Sequence, residues 1–369
     1  MNIHFPMKRF IFMFVGVMTA LVIGAQTKNT SNDKDIEVYD SKTQAVLRTY
    51  KAGTYDFVVT LEGYGLKVYV KSKDSEDFFD AAYRVVSQTD PNPDPDPHDQ
   101  VNKNKNTNLV GNRQYAWRLE YPKLREGTEN IISVHKAQDV EDITLSLEWD
   151  TNKKAQRWSC FQFHGGTPNN NVERKNDFRQ DPNIPSHLQP THKDYASTGY
   201  DRGHMCASED RQTTQEHNSQ TFFMTNMHPQ LHSHNGGIWK RLEELVQKWG
   251  YNRSFCDTLY AVKAGTIDKE TDLLGYMQAA KSNMKLPIPK YFYMAILSFK
   301  KGQDGKGQYQ AIGFWTVHDG VNYKKVKLNT LACSIKELEA KTGIDFFCNL
   351  PDDIEKMVEE AYDPDQWNW

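Results

Sequence analysis

The stretch TGYDRGHMCASED, residues 198–210, places an acid, a base, a glycine and an imidazole at four consecutive positions, Asp201 to His204. A histidine beside a glycine is, taken alone, an ordinary turn residue. Seven of the twelve histidines nevertheless fall between His187 and His234, a density that scattered surface positions do not readily produce. The segments that surround this stretch therefore decide what the histidine does.

The segment that follows is predicted to form a helix, and it contains two candidate oxygen ligands for a cation. In GIWKRLEELVQKWG, residues 237–250, apolar side chains recur at helical spacing and Gly250 supplies an end. Asn235 stands directly before this helix, where an amide oxygen is usually an N-cap but can also be a neutral ligand for a hard cation such as Mg²⁺. Glu243 lies eight residues further on, about 12 Å along a regular helix. The two side chains therefore cannot both bind the same ion directly.

Composition and the N-terminus set the class of protein. The 369 residues are 38% hydrophobic and 25% charged, as in soluble globular proteins, and a net charge of −3 means that any polyanionic partner is held locally. Lys8 and Arg9 precede an apolar run, residues 10–25, that is shorter than the roughly 20 residues of a membrane-spanning helix. This pattern predicts a signal peptide over residues 1–25, export from the cytoplasm, and no stable membrane insertion after cleavage.

A proline-rich segment, DPNPDPDPHD at residues 90–99, divides the chain. Alternating prolines remove backbone donors, so we expect a solvated linker over residues 89–108. Strand-like segments before it predict a small β-rich module of unknown role over residues 35–88. After it, alternating segments such as ITLSLEWD occur with a few helices and without regular β–α–β alternation. This arrangement predicts an α+β fold for the main domain, residues 109–362.

Three motifs in order carry a resemblance to a known family. DRGH, then NMHPQ and HNGGIWKRLEE, resemble the DNA/RNA non-specific endonucleases, the sugar-non-specific branch of the ββα-metal nucleases. YAVKAGTI, KLPIPKYFYMAIL and IKELEAKTGIDFFCNLPDD are similar to later strands and the C-terminal signature of that family, so the resemblance covers residues 110–360. It implies a central mixed or antiparallel sheet flanked by helices, and metal-dependent hydrolysis of phosphodiester bonds in DNA and RNA.

The resemblance assigns a role to each member of the motifs. It implies that His204 is the general base, and an imidazole suits this role because its usual pKa is near 6.5. It implies that Asn235 is the one direct protein ligand of Mg²⁺, for which Mn²⁺ can substitute, and that Glu243 acts through a metal-bound water. We expect His204 to be exposed at a strand end, with Gly203 leaving room for a polyanion. Gln247 stands where some relatives have an arginine, which lowers the expected affinity for the phosphate backbone.

Arginines are the expected contacts to the phosphate. A guanidinium group matches two phosphate oxygens, so Arg202 is a candidate, although an ion pair with Asp201 explains it equally well. The resemblance also implies an arginine upstream of DRGH; Arg174 is the first candidate and Arg179 the second. Asp201 and Asn226 are expected to support the site rather than to react.

Other classes of function remain open from the sequence. His228, His232 and His234, with Cys206 as a fourth ligand, offer a zinc site, although no CxxC or HExxH frame accompanies them. Cys206 and His204 offer a nucleophile pair. A domain that binds nucleic acid without cleaving it is a third alternative. The odd number of cysteines, five, leaves their pairing, like the oligomeric state, undetermined.

Overall fold

The structure is a computed structural model. It describes the backbone of seven strands between residues 28 and 86 and, with side chains, residues 106–108, 115–125, 128–140, 142–170, 172–302, 307–321 and 323–369. The predicted signal peptide and the proline-rich segment lie outside the described residues. The chain divides into two compact units, residues 1–101 and residues 102–369.

The first unit contains strands throughout its described part. They are β1 (Lys28–Asn32), β2 (Asp35–Tyr39), β3 (Val46–Tyr50), β4 (Gly53–Glu62), β5 (Gly65–Lys71), β6 (Glu76–Phe79) and β7 (Ala82–Val86). They form two antiparallel sheets, one with the order β1-β4-β5-β6 and one with the order β3-β2-β7.

The second unit is built on a seven-stranded antiparallel sheet with the order β18-β17-β16-β13-β10-β9-β8. Its strands are β8 (Ile131–Ala137), β9 (Asp142–Asp150), β10 (Ala155–His164), β13 (Thr258–Gly265), β16 (Tyr291–Lys301), β17 (Gly307–Val317) and β18 (Ala332–Cys333). Residues 292–297 of β16 alternate between the two faces of the sheet, and all are buried. Both faces of the sheet centre are therefore covered.

Four α-helices are described in this unit: α1 (Gln215–Gln220), α2 (Lys240–Gly250), α3 (Ile335–Thr342) and α4 (Asp352–Glu360). Helix α2 contacts β13, whereas α3 and α4 contact β17. The apolar residues of α2, among them Leu242, Val246 and Trp249, belong to the main core cluster, as the helical spacing predicted. The mixed architecture, with its antiparallel sheet and flanking helices, confirms the α+β prediction.

Two short sheets complete the unit. Strands β11 (Asp201–His204) and β12 (Met227–Gln230) pair antiparallel, and so do β14 (Leu273–Gln278) and β15 (Lys285–Pro289). The chain continues from β12 into a π-helical turn, His234–Trp239, and then directly into α2. This β–β–α unit carries the DRGH motif on its first strand.

Residues at the N-terminal edge of the second unit pack on its C-terminal part. The amide of Asn106 donates to Asp345 (2.7 Å) and Glu355 (3.2 Å), and the backbone N–H of Asn108 donates to Asn349 (2.9 Å). All five cysteines are buried free thiols. In the part of the chain that the structure describes, no helix combines the length and apolar character needed to span a membrane.

Candidate active site

Strand β11 is held at its end by side chains from two other segments. The carbonyl of His204 accepts a hydrogen bond from Trp239 Nε1 (3.1 Å), which ties the strand to the start of α2. Asn226, fully buried, accepts from the backbone N–H of Cys206 (3.0 Å) and donates back to the Cys206 carbonyl (2.8 Å). Asn226 thus fixes the chain just beyond His204.

Gly203 has a packing role that differs from the expected one. A Cβ atom at this position would overlap the side chain of Gln230 on the paired strand β12. The Gln230 amide is itself fixed, because it donates to His234 Nδ1 (2.9 Å), whose Nε2 is bonded to Thr316 (3.0 Å). The prediction that Gly203 leaves room for a polyanion is wrong, since the side chain of Gln230 fills that space.

His204 is buried rather than exposed, which corrects the sequence-based expectation. Its exposed fraction is only 8%. The rings of Phe222 and Phe178 cover it, with centroids 5.1 Å and 5.7 Å from the imidazole. Both phenylalanines are distant from DRGH in the sequence, so local pattern did not reveal them.

The environment of His204 keeps its imidazole neutral. Burial lowers the pKa of His204 to about 3, and the positive charges of Arg174 and Arg202 act in the same direction. A hydrogen bond with the backbone of Arg202 acts in the opposite direction. Nε2 is enclosed and has no hydrogen-bond partner among the described residues. A neutral imidazole with an unpaired ring nitrogen can accept a proton from a molecule placed beside it.

Arg174 and Arg202 both lie close to His204, each stacked on one of its two phenylalanines. Arg202 Cζ is 4.0 Å from the centroid of Phe178, and Arg174 Cζ is 4.9 Å from that of Phe222. The alternative ion pair between Arg202 and Asp201 does not form; within the described residues no carboxylate lies within ion-pair distance of Arg202. Two guanidinium groups therefore border the imidazole.

Arg179, the second upstream candidate, is engaged elsewhere. Its guanidinium forms an ion pair with Asp177 (2.7 Å), donates to the carbonyl of Ser219 (2.9 Å) and stacks on Phe223 (4.2 Å). The charge of Arg179 does not contribute to the lowered pKa of His204, whereas that of Arg174 does. The structure thus brings Arg174, and not Arg179, to the imidazole.

Asn235 lies inside the π-helical turn, not directly before a helix as predicted. Its amide nitrogen donates to Asp201 Oδ2 (2.9 Å), and His232 Nδ1 donates to the same oxygen (2.9 Å). A carboxylate only accepts hydrogen bonds, so Asp201 selects the amide orientation in which Oδ1 points away from the carboxylate. That oxygen is the atom that a hard cation requires.

The π turn also changes the spacing between Asn235 and Glu243. A π turn closes a hydrogen bond from residue i to i+5, and Gly237 within it has a non-helical backbone (φ −107°, ψ −108°). The separation of about 12 Å for a regular helix therefore does not apply here. Such turns are rare and often occur at functional sites.

Glu243 is a partly buried carboxyl group whose Oε1 atom is enclosed and has no partner among the described residues. Burial raises the pKa of Glu243 to about 8, although the charges of Lys263 and Arg174 oppose this rise. An enclosed carboxyl oxygen without a donor suits a nearby cation or a cation-bound water. The positive charge of Arg174 acts to lower the pKa of both Glu243 and His204.

A buried ion pair lies beside Glu243 and was missed in the sequence. Lys263 Nζ and Asp210 Oδ2 are 2.8 Å apart, and neither side chain is accessible to solvent. Gln247 donates to the other oxygen of Asp210 (2.9 Å), so this residue supports the ion pair. The aromatic and β-branched content of this segment predicts a strand that includes Lys263, but it contains no signal for a buried charge.

The three histidines proposed for zinc do not converge. His228 is fully buried with its ring edge-on to Phe292, His234 is bonded to Gln230 and Thr316, and His232 points into solvent, its side chain 88% exposed. Among the described residues, the one group of three close potential ligands is found elsewhere, at Glu339, Asp345 and Glu359. These three histidines therefore do not form the alternative zinc site.

Cys206 is also unsuited to the role of nucleophile. Its thiol is fully buried, and burial raises its pKa to about 12. A thiol with such a pKa is protonated at neutral pH, whereas the thiolate is the reactive form. The proposed pairing of Cys206 with His204 is not supported by this environment.

Comparison with known proteins identifies one family. The family model described as DNA/RNA non-specific endonuclease matches residues 128–353. A nuclease from Nostoc sp. is 29% identical over 59% of this chain and 76% of its own length. The mitochondrial nuclease EXOG of Danio rerio is 26% identical over 54% of this chain, and the mitochondrial nuclease of Saccharomyces cerevisiae is 26% identical over 51%. For each of these two, the match spans 58% of the relative.

A solved structure of the EndoG/EndoGI complex also aligns with the chain. The alignment covers 59% of this chain and 86% of the other, with a TM-score of 0.48 and 22% sequence identity.

The predicted export is contradicted by these comparisons. The relatives from Danio rerio, Xenopus laevis, Mus musculus, Homo sapiens and Saccharomyces cerevisiae are named as mitochondrial nucleases. Basic residues near an N-terminus are not specific to export, because organelle-targeting segments carry them as well. The prediction that residues 1–25 direct export is therefore wrong.

Proposed function

Because the chain belongs to the DNA/RNA non-specific endonuclease family, a family of metal-dependent nucleases, we propose that it cleaves phosphodiester bonds of both DNA and RNA without sequence preference. His204 acts as the general base, and a Mg²⁺ ion is held directly by Asn235 and, through water, by Glu243. The neutral His204, with an unpaired Nε2 between two arginines, is the observation on which this proposal rests.

The proton transfer is assigned to His204 Nε2. A water molecule beside this atom loses a proton to it while its oxygen attacks phosphorus, and the bond from phosphorus to the 3′ oxygen breaks. A base with a pKa of about 3 is weak; burial is the largest cause of that value, and the charges of Arg174 and Arg202 add to it. A bound phosphodiester neutralises these charges and raises the pKa of His204 towards the working pH.

The metal assignment is supported by the donor set. Asn235 presents a neutral oxygen oriented by Asp201, and Glu243 presents an enclosed oxygen without a donor. One amide and one carboxylate suit Mg²⁺, which keeps most of its waters and takes few protein ligands. When bound, the ion would stabilise the negative charge that develops on the leaving oxygen.

Phosphate binding is assigned to Arg174 and Arg202. They border His204, and the roles proposed for the site residues involve phosphate, metal and water rather than the edge of a base. Affinity from phosphate contacts alone is independent of sequence and falls steeply with salt. Cleavage is therefore expected at many positions of any substrate.

The test is a digest of supercoiled DNA and of a structured RNA, with EDTA, and after adding back Mg²⁺ or Mn²⁺. Cleavage of both substrates, its loss in EDTA and its recovery with either ion are expected, with cut sites spread over the sequence. Full activity after exhaustive chelation would show that no metal ion is required. Cleavage at a single recognition sequence would contradict the proposed lack of sequence preference. The His204→Ala protein, purified in parallel, controls for contaminating nucleases.

The non-catalytic alternative has its own outcome in the same experiment. A protein that retains labelled DNA in a gel-shift assay but cuts neither substrate with Mg²⁺ or Mn²⁺ is a binding domain. The presence of a candidate base, a candidate metal ligand and a supporting carboxylate in one β–β–α unit favours the catalytic reading.

A further inference from the structure

Phe178 lies at the junction of three groups of the candidate site. Its ring is 5.7 Å from the ring of His204 and 5.0 Å from that of Phe222, with the two phenylalanines perpendicular to each other. It also packs against an apolar cluster that includes Tyr195 and Met224. The position of the Phe178 ring is thus determined from several sides.

The ring of Phe178 is also in contact with a guanidinium group. Arg202 Cζ lies 4.0 Å from the centroid of Phe178, the shortest distance of this kind between a described cation and a described aromatic ring. No hydrogen bond or ion pair to this guanidinium is found among the described residues. The stacking on Phe178 is therefore the contact that holds it, while its N–H donors remain available to an anion.

This arrangement differs from that of a purely structural arginine–phenylalanine pair in the same protein. Arg179 is stacked on Phe223 at a comparable distance, 4.2 Å, but Asp177 and the carbonyl of Ser219 occupy its donors. Arg202 has the same kind of aromatic support without the carboxylate. The contrast indicates that the donors of Arg202 are kept for a ligand.

We propose that Phe178 is a positioning residue of the nuclease reaction, which holds the guanidinium group of Arg202 in place so that it is ready to bind a phosphate beside His204. The inference rests on the proposed function, because it takes the anion to be the scissile phosphodiester. Phe178 touches neither substrate nor reacting atoms and acts through Arg202. Nucleic acid is thereby bound by an arginine whose orientation is already set in the free protein. This fixed orientation lowers the entropy lost on binding.

A double-mutant cycle on cleavage of a short labelled duplex tests the proposal. Phe178→Leu keeps an apolar side chain but removes the aromatic face, and Phe178→Tyr keeps that face. We expect Phe178→Leu to raise KM roughly three- to tenfold, the effect of losing one partly exposed cation–π contact, with kcat changed much less. Phe178→Tyr should retain the KM of the unmodified protein.

The decisive measurement is the effect of Phe178→Leu in an Arg202→Ala background. If Phe178 acts through Arg202, the second substitution adds less than about twofold to KM, because the two residues form one unit. Fully additive effects, or a fall in kcat equal to the loss of kcat/KM with KM unchanged, would overturn the proposal and assign Phe178 to packing alone. Thermal unfolding of each variant confirms that it is folded.

Phe223→Leu is the matched control. It removes the aromatic support of Arg179, which Asp177 still holds, so KM should stay within about twofold of the unmodified value. A rise in KM equal to that of Phe178→Leu would also overturn the proposal, since it would show a general effect of losing a phenylalanine. If the unmodified protein cleaves no nucleic acid, the proposed function and this inference both fail; cleavage with an additive cycle removes the inference alone.

Discussion

Among single residues, His204 shows how burial and charge act together on one ring. The two phenylalanines that cover it reduce its exposure to solvent, and the two arginines beside it disfavour a proton on it. Both effects keep the imidazole neutral before substrate binds. Only the charge effect is relieved when a phosphate binds, so the base strength of His204 is expected to rise on substrate binding.

Substitution of His204 by alanine tests its role as the base. We expect activity to fall by about two to four orders of magnitude, the usual worth of a positioned general base, with Mg²⁺ affinity unchanged because Asn235 remains. Since the ring is buried, the cavity left behind should lower the free energy of unfolding by about 2 kcal/mol. Kinetics, titration calorimetry and thermal melts measure the three effects. Cleavage at the original rate would show that another group removes the proton.

Substitution of Asp201 tests the proposed metal site. Without its carboxylate, the Asn235 amide can rotate, so Asp201→Ala should weaken Mn²⁺ binding by about 10- to 100-fold, as the loss of residues that orient metal ligands commonly does. Asn235→Ala should abolish binding and nearly all activity, and Glu243→Ala should have a smaller effect. Binding is measured directly by electron paramagnetic resonance of Mn²⁺, independently of cleavage.

Asp177→Ala is the control for this experiment, because Asp177 has an exposed fraction of 32% against 33% for Asp201 and also pairs with a basic side chain. It should leave Mn²⁺ binding unchanged. Equal weakening by both substitutions would attribute the effect to net charge rather than to the orientation of Asn235.

At the scale of elements, the close packing of β11 against β12 sets the position of His204. Gly203 faces His228 across the pair, and the side chain of Gln230 occupies the space beside Gly203. Gln230 is in turn bonded to His234 at the start of the π turn. The strand that carries His204 and the turn that carries Asn235 are thus connected through the side chain of Gln230.

The substitution Gly203→Ala is predicted to displace the side chain of Gln230, which connects β11 to the π turn. The new methyl group overlaps Gln230, and overpacking in a well-packed region costs about 1–3 kcal/mol. We expect lower thermal stability together with a loss of kcat, because His204 is adjacent. The double variant Gly203→Ala/Gln230→Ala should recover part of the kcat. Gly165→Ala, where a Cβ meets no atom within 4 Å, should behave as the unmodified protein; a loss of kcat there equal to that of Gly203→Ala would contradict the packing argument.

For the whole molecule, two sets of buried groups give stability opposite pH dependences. Burial lowers the pKa of four histidines to about 3 or 4: His204, His217, His228 and His234. Burial raises the pKa of four glutamates to about 7 or 8: Glu243, Glu339, Glu355 and Glu359.

The direction of each pH dependence follows from the number of protons that the folded and the unfolded protein bind. Below pH 6.5 the unfolded chain binds protons at the histidines that the folded protein does not bind, so stability falls on acidification towards pH 4. Above pH 4.5 the folded protein keeps protons on the glutamates that the unfolded chain has lost, so stability falls as the pH rises towards 8. The two trends oppose each other between pH 4.5 and 6.5.

We therefore predict that the metal-free protein is most stable between pH 4.5 and 6.5 and loses stability from pH 6.5 to 8. Urea unfolding at a series of pH values measures this. Glu339→Gln, which still accepts the hydrogen bond from the Phe346 N–H, should reduce the decline above pH 6.5. A stability that rises steadily from pH 6 to 8 would show that these glutamates are ionised in the folded protein.

The sequence by itself determined the family and the α+β class, and it selected His204, Asn235 and Glu243 as candidate site residues. These residues lie in continuous motifs whose order and spacing are set along the chain, and a strand or an amphipathic helix is recognisable from a few neighbouring residues. The sequence also narrowed the upstream arginine to Arg174 or Arg179. It did not predict the π turn, because that turn depends on how the helix start packs.

Only the tertiary structure decided the environment of these residues. It buried His204 under Phe178 and Phe222 and filled the space beside Gly203 with Gln230. It also oriented the Asn235 amide through Asp201 and brought Arg174 rather than Arg179 to the imidazole of His204. Burial, hydrogen-bond partners and pKa values arise from contacts between segments that are far apart in the chain. A local sequence pattern indicates which residues belong to a motif or an element, whereas the packing of distant segments determines what surrounds each of them.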